Sequence, residues 1–107
     1  MRVADFVIDF LIKNNINLTY CVTGRGSLFL NDALAKNKEM KSIFMHHEQS
    51  AAFASVAYSQ ISNQPSCCMV STGCASTNTI TGVLSAWQDC VPLMFISGQH
   101  SLDETTN

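Results

Sequence analysis

A chain of 107 residues, 47% hydrophobic and only 13% charged, has the composition of one small globular domain with one core, not of a disordered segment. The formal net charge is -2, and the six basic residues (Arg2, Lys13, Arg25, Lys36, Lys38, Lys41) form no basic run interleaved with aromatics, so no nucleic-acid partner is expected. No apolar run approaches the ~20 residues a membrane span needs, and Asp5 and Asp9 interrupt any signal-peptide core, so neither a membrane partner nor secretion is expected.

In chain order, Val3, Phe6, Val7, Phe10 and Leu11 recur at helical spacing and predict an amphipathic helix with Asp5 and Asp9 on its far face, ended by Asn14-Asn15. Leu18 to Val22 is short, apolar and rich in β-branched and aromatic residues, which predicts a first strand. A glycine-rich turn, Thr23-Gly24-Arg25-Gly26-Ser27, leads into a helix from Leu28 to Leu34. Ser42 to Met45 reads as the second strand and Glu48 to Ile61 as a helix of high propensity. The small side chains of that helix allow another backbone to come close. After Pro65, Cys67 to Val70 is a continuous apolar run, as expected of a strand buried on both faces. The polar turn Ser71-Thr72-Gly73-Cys74-Ala75-Ser76 follows, with Ser76 or Thr77 as cap of a helix running to about Asp89. Pro92 introduces a fourth strand, Leu93 to Ile96, which runs out at Ser97-Gly98-Gln99-His100. The final polar stretch, Ser101 to Asn107, shows no periodicity and reads as the start of a connection, which makes residues 1-107 look like a domain cut short.

Strands alternating with helices predict an α/β fold: a parallel sheet of about four strands flanked by helices. In such a sheet every strand-to-helix junction lies on one edge, where ligands bind. Four polar turns therefore converge: Thr23 to Ser27, His46 to Glu48, Ser71 to Asn78, and Ser97 to Gln99. Among them His46-His47-Glu48 stands out, because a carboxylate at the join of an apolar strand and a helix is placed to meet a ligand.

Five cysteines (Cys21, Cys67, Cys68, Cys74, Cys90) include an adjacent pair and no C-x-x-C. Reduced thiols in a cytoplasmic protein are expected, with Cys21, Cys67 and Cys68 packed as small hydrophobes. No metal site is expected, since His47-Glu48 lacks the second histidine of H-E-x-x-H. Gly24-Arg25-Gly26 is a weak dinucleotide signal: the third glycine of G-x-G-x-x-G would fall at Phe29, and no G-K-[ST] follows.

The order and spacing of these segments resemble the N-terminal, pyrimidine-binding (PYR) domain of thiamine diphosphate enzymes of the acetolactate synthase and pyruvate oxidase type. The segments that carry the resemblance are Val22-Thr23-Gly24-Arg25-Gly26 with Leu30-Asn31-Asp32-Ala33-Leu34, and His46-His47-Glu48-Gln49-Ser50-Ala51-Ala52 with Ala57-Tyr58. Ser71 to Asn78 matches the family's T-S-G-P-G-x-x-N, and Ala86-Trp87-Gln88-Asp89-Cys90-Val91-Pro92 runs on to Ile96-Ser97-Gly98-Gln99. Within the superfamily, the first turn looks closest to surface-sugar biosynthesis proteins, which read V-T-G-G-G there.

The resemblance implies that Glu48 is catalytic: its carboxyl shares a proton with the cofactor's pyrimidine ring and so activates the cofactor toward a 2-keto acid. It further implies that Thr23, Gly24, Glu48, Cys74 and Asn78 line the cofactor side and that Arg25, His47 and Gln99 face the substrate. Thiamine diphosphate is the implied cofactor, with Mg²⁺ and the diphosphate held by a G-D-G…N domain absent from this sequence; FAD, carried by some relatives, stays open. The implied partners are that diphosphate-binding (PP) domain, in a further C-terminal region or a separate subunit, and a second copy in a homodimer or larger assembly.

The reading that follows is the N-terminal portion of an acetolactate synthase-like 2-keto acid decarboxylase or carboligase, inactive as an isolated chain; the alternative is a truncated relic or binding-only domain. Taken without the pattern, Glu48 is an ordinary first-turn helix acid, Asn78 a helix-start polar residue, Gln99 a strand-end polar residue, and His46 and His47 packing groups. Three departures matter. Arg25 stands where the sugar-pathway pattern has glycine, so a left-handed backbone there would be strained. Cys74 and Ala75 replace Pro-Gly, and a left-handed Ala75 would cost about 1 kcal/mol or more.

Overall fold

The computed structural model describes residues 1–105. The predicted element order is present with one subdivision. Helix α1 (Val3–Lys13) precedes β1 (Leu18–Cys21), and a 3₁₀ turn (Arg25–Ser27) leads into α2 (Leu28–Lys36). Then come β2 (Lys41–Phe44), α3 (Glu48–Ser62), β3 (Ser66–Val70), α4 (Cys74–Thr77), α5 (Ile80–Gln88) and β4 (Leu93–Ser97). The four strands form one parallel sheet in the order β2-β1-β3-β4. Thr106 and Asn107, the end of the predicted connection, lie outside the described residues.

The β1 and β3 strands occupy the middle of the sheet, and β3 is buried at every position. Alternation along β3 sends Cys67 and Met69 into one core and Cys68 and Val70 into the other. The first core lies under α1 and α2 and is built from bulky side chains, among them Ile8, Leu11, Leu34 and Met40. The second lies under α3 and contains Ala51 and Ala52, with Tyr20, Val22, Met45 and Phe95 packed against it.

The buried stripe of α1 is only partly the one its spacing predicts: Leu11 is buried and Val7 packs against the core, but the other three positions do not. Ala4, Ile8 and Leu11 face the core, whereas Val3 is 80% exposed, Phe6 54% and Phe10 49%. The helix is apolar on two faces, so period alone fits either stripe. Packing against α2 and the sheet chose the aliphatic one, leaving Phe6 and Phe10 to meet each other at the surface with ring centroids 6.3 Å apart.

Small residues make α3 a close-packed helix, as its composition predicts. At Gly82 of α5, a Cβ would sit 2.5 Å from that of Ala52, so the two helices touch nearly backbone to backbone. Buried hydroxyls fasten α3 to β3: Ser55 Oγ donates to the Cys67 carbonyl at 3.3 Å, Ser66 Oγ donates to the Ser55 carbonyl at 3.0 Å, and Ser59 and Ser66 share a hydrogen bond of 2.8 Å. The hydroxyls of Ser55, Ser59 and Ser66 thus all have partners, as desolvation demands, whereas the buried Thr19 Oγ1 on β1 has none.

The single helix predicted after β3 is broken. Thr77 Oγ1 donates to the Cys74 carbonyl at 2.9 Å, and Ser76 Oγ donates to the Ser71 carbonyl at 3.2 Å. Neither hydroxyl caps a helix; both turn back onto the chain, as serine and threonine do when backbone carbonyls are in reach. The helix restarts at Ile80 after Asn78-Thr79.

A candidate site at the carboxyl edge of the sheet

In a parallel sheet of order 2-1-3-4 the order of strand addition reverses between β1 and β3, and the crevice outside their carboxyl ends is where open α/β sheets bind ligands. All four predicted turns lie on this edge, and specific contacts tie them together. The Gly26 N–H donates to Ser71 Oγ at 3.1 Å, joining the β1 and β3 turns. A Cβ on Gly24 would collide with the Ser71 side chain, and one on Gly98 would fall on the Gly26 carbonyl. The Gly98 N–H donates to the Val70 carbonyl at 3.1 Å, and Ser97 Oγ donates to the Ser71 carbonyl at 2.9 Å while also contacting the Ser76 hydroxyl.

The β2 turn joins through the residue singled out first. Glu48 is the opening residue of α3 and is half-buried, and its Oε2 accepts a 2.9 Å hydrogen bond from Asn78 Nδ2. Asn78 sits in the break between α4 and α5. The Asn78 amide is the main cause of a Glu48 pKa below the usual carboxylate value. Partial burial opposes that shift, while the glutamate's own backbone N–H and nearby His47 add to it. A helix N-terminus favours the anion in the same sense. The sequence leaves this balance open; in the folded chain the anion wins.

The other candidate residues divide. His47 is the N-cap of α3, and its Nδ1 accepts from the Gln49 N–H at 3.1 Å, so one ring nitrogen serves the helix. Thr23 is exposed on the rim, and Gly24 has extended backbone whose carbonyl accepts from the Ser27 N–H at 3.2 Å. Cys74 is exposed and opens α4, its carbonyl accepting from the Asn78 N–H at 3.2 Å. The Gln99 Oε1 accepts from the His100 N–H at 3.1 Å, a local turn contact. Arg25 stands 81% exposed and pairs with Glu104 at 3.0 Å.

The expected backbone strain is absent at both substituted positions. Among the described residues, positive φ outside glycine occurs only at Asn15, Asn63 and Cys90. Arg25 lies in the 3₁₀ turn and Ala75 inside α4, both with ordinary backbone. Gly73 carries the positive φ instead (φ 58°, ψ -121°), with open space where a Cβ would be. Sequence reading gave Ser71 and Ser97 no role beyond membership of their turns. Their cross-turn partners depend on strand order, which no local pattern reveals.

A groove of about 480 Å³ lies elsewhere, on the flank of α5 and β4, lined by apolar side chains including Val83, Trp87, Leu93 and Phe95. Its one titratable side chain is the Cys90 thiol, whereas the carboxylate, amide and hydroxyl groups gather on the polar edge. Among the described residues no cluster of three or more His, Cys, Asp or Glu is arranged to hold a metal ion, and no helix is long and apolar enough to cross a membrane.

Residues 1–106 match the family model described as the thiamine pyrophosphate enzyme, N-terminal TPP binding domain. Similar proteins include the acetolactate synthase large subunit of Cyanidium caldarium, 36% identical over 98 residues, which are 89% of this chain and 17% of that protein. Acetolactate synthase isozyme 1 large subunit of Escherichia coli is 31% identical over 96 residues, 90% of this chain and 17% of that protein. Acetolactate synthase 3, chloroplastic, of Brassica napus is 29% identical over 96 residues, 90% of this chain and 15% of that protein. The chain thus spans about a sixth of the length of these relatives.

Proposed function

Because the chain belongs to the thiamine pyrophosphate enzyme N-terminal domain family, we propose that it supplies the pyrimidine-binding half of a thiamine diphosphate site in an acetolactate synthase-like enzyme, with Glu48 as the group that exchanges a proton with the cofactor. The observation that carries this reading is the Glu48 carboxylate, half-buried at the start of α3 and held by Asn78 on the edge where all four turns meet.

The donor set suits an aminopyrimidine. A carboxylate offers about four acceptor positions, so the Asn78 hydrogen bond leaves Glu48 capacity for a ring nitrogen. Gly73 leaves open space beside the β3 turn, where the absence of a side chain gives a flat ligand room to approach. Thr23, Gly24, Cys74 and Asn78 would line the cofactor, and Arg25, His47 and Gln99 the substrate. The cofactor, when bound, supplies the electron sink for decarboxylation and carboligation.

The chain's own contribution is proton placement. Glu48 starts as an anion stabilised by Asn78 and the first turn of α3. Covering the edge removes water, which raises a carboxyl's pKa and brings it toward the range where it both takes and gives a proton. The cover would come from a diphosphate-binding domain carrying Mg²⁺, in a further region or separate subunit, within a dimer or larger assembly. The exposed apolar groove on α5 and β4 supports packing by such an element. A cytoplasmic setting fits the free thiols.

A binding-only role is the second reading, and the depressed Glu48 pKa is the observation on its side. One experiment separates them: combine the chain with a separately expressed diphosphate-binding domain, thiamine diphosphate and Mg²⁺, and measure CO₂ release from pyruvate. Release that Glu48→Gln abolishes supports the catalytic role. Release unaffected by Glu48→Gln sinks it, and cofactor binding without release leaves the binding-only reading standing.

A further inference from the structure

Beyond β4 the chain folds back over the β1 and β3 turns. Gly98 is pressed against the Gly26 carbonyl, and His100 Nε2 lies 3.3 Å from Thr72 Oγ1. Ser101 to Thr105 then closes on itself: the Glu104 N–H donates to the Ser101 carbonyl at 2.9 Å, and Thr105 Oγ1 donates to the Leu102 carbonyl at 2.7 Å. This turn presents one carboxylate between two basic groups. Arg25 Nη2 donates to Glu104 Oε1 at 3.0 Å, and His100 Nδ1 lies 3.4 Å from Glu104 Oε2. Arg25 donates to one carboxylate oxygen and the His100 ring lies beside the other, the two basic residues coming from different strand ends.

The turn itself is weakly anchored. Leu102 is 91% exposed, and no residue from Ser101 to Thr105 enters either core. An exposed ion pair of this kind is worth only about 0–1 kcal/mol, and segments held by such contacts open locally at little cost. Arg25 has no other side-chain partner among the described residues. Its planar fork is shaped to grip a carboxylate. A carboxylate of the same chain, held only by exposed contacts, sits against that fork.

We propose that Arg25 and His100 form a receptor for the carboxylate of a small organic acid, and that Glu104 is an internal surrogate which such a ligand displaces. Choosing a 2-oxo acid as ligand rests on the function proposed above; recognition of a carboxylate by this pair does not.

The test is a titration of the 107-residue chain with sodium pyruvate at fixed ionic strength and without thiamine diphosphate. It follows the Arg25 side-chain and His100 ring resonances by NMR, with sodium chloride as control. The expected result is a saturable shift of both groups, with binding tightened roughly two- to fivefold in Glu104→Ala, the range set by losing an exposed competing pair. In Arg25→Gln saturation should vanish. Unchanged affinity in Glu104→Ala, retained saturation in Arg25→Gln, or equal shifts with chloride each overturn the proposal. The substituted side chains are exposed or half-exposed, so circular dichroism readily confirms that both variants fold. Because the cofactor is omitted, failure here is distinct from failure of thiamine diphosphate to bind.

Discussion

The two faces of the sheet are packed by different means. Under α1 and α2 the core is bulky aliphatic matter, and its helix could turn either of two apolar stripes inward. Under α3 and α5 the contact is made by alanine, glycine and hydroxyls, with helix axes drawn close. The first face supplies apolar burial and tolerates choice. The second fixes where α3 begins, and so where the Glu48 carboxylate stands relative to Asn78. Stability and positioning are therefore separable in this chain, one assigned mostly to each side.

Substitutions on the two faces should break that comparison open. Leu11→Ala removes a side chain only 1% exposed, at an expected cost of about 2–5 kcal/mol in urea unfolding, yet Glu48 should titrate as before. Gly82→Val should cost less, about 1–3 kcal/mol from overpacking against Ala52, but it pushes α5 from α3 and loosens the Asn78–Glu48 bond. The Glu48 carboxyl signal in a ¹³C NMR titration should then move to higher pH. If both variants shift Glu48 equally, the division of labour is wrong.

Asn78→Ala tests the bond directly. The stability loss should be small, about 1 kcal/mol at neutral pH, while the Glu48 pKa rises because its largest lowering influence is gone. A carboxyl whose folded pKa is depressed adds stability above its unfolded pKa and loses it as pH falls through the folded one. Wild type should accordingly exceed Asn78→Ala above the ordinary carboxylate range, with the part of the gap due to Glu48 ionisation closing in stronger acid. A gap that keeps its full size at every pH would remove the electrostatic account.

The smallest effect concerns the thiols that line both cores. Burial pushes Cys21 up to about 11 and Cys67 and Cys68 up to about 12, whereas Cys74 and Cys90 are exposed. A thiol reagent at pH 8 should modify the two exposed cysteines quickly and the three buried ones only on unfolding. Thiols with raised folded pKa values stabilise nothing at neutral pH. They contribute a loss of stability as pH rises above 9.0, where unfolded thiols ionise and folded ones do not. Equal reactivity of all five would mean that β3 is not the sealed centre described here.

Much of this was legible in one dimension. The run Cys67 to Val70 reads as a strand buried on both sides, and the small residues after Glu48 allow a close helix contact, which Gly82 provides. The strand-to-helix junctions followed from alternation, and with them the edge that gathers Thr23, Glu48, Ser71 and Ser97. Local composition determines these features because strand burial, helix propensity and turn chemistry act over a few neighbouring residues. The inward stripe of α1, the break at Asn78, the anionic bias of Glu48 and the clasp of Arg25 on Glu104 were decided only in three dimensions. Each depends on which residues distant in sequence become neighbours, and hydrogen bonds, charge and packing act on that distance alone.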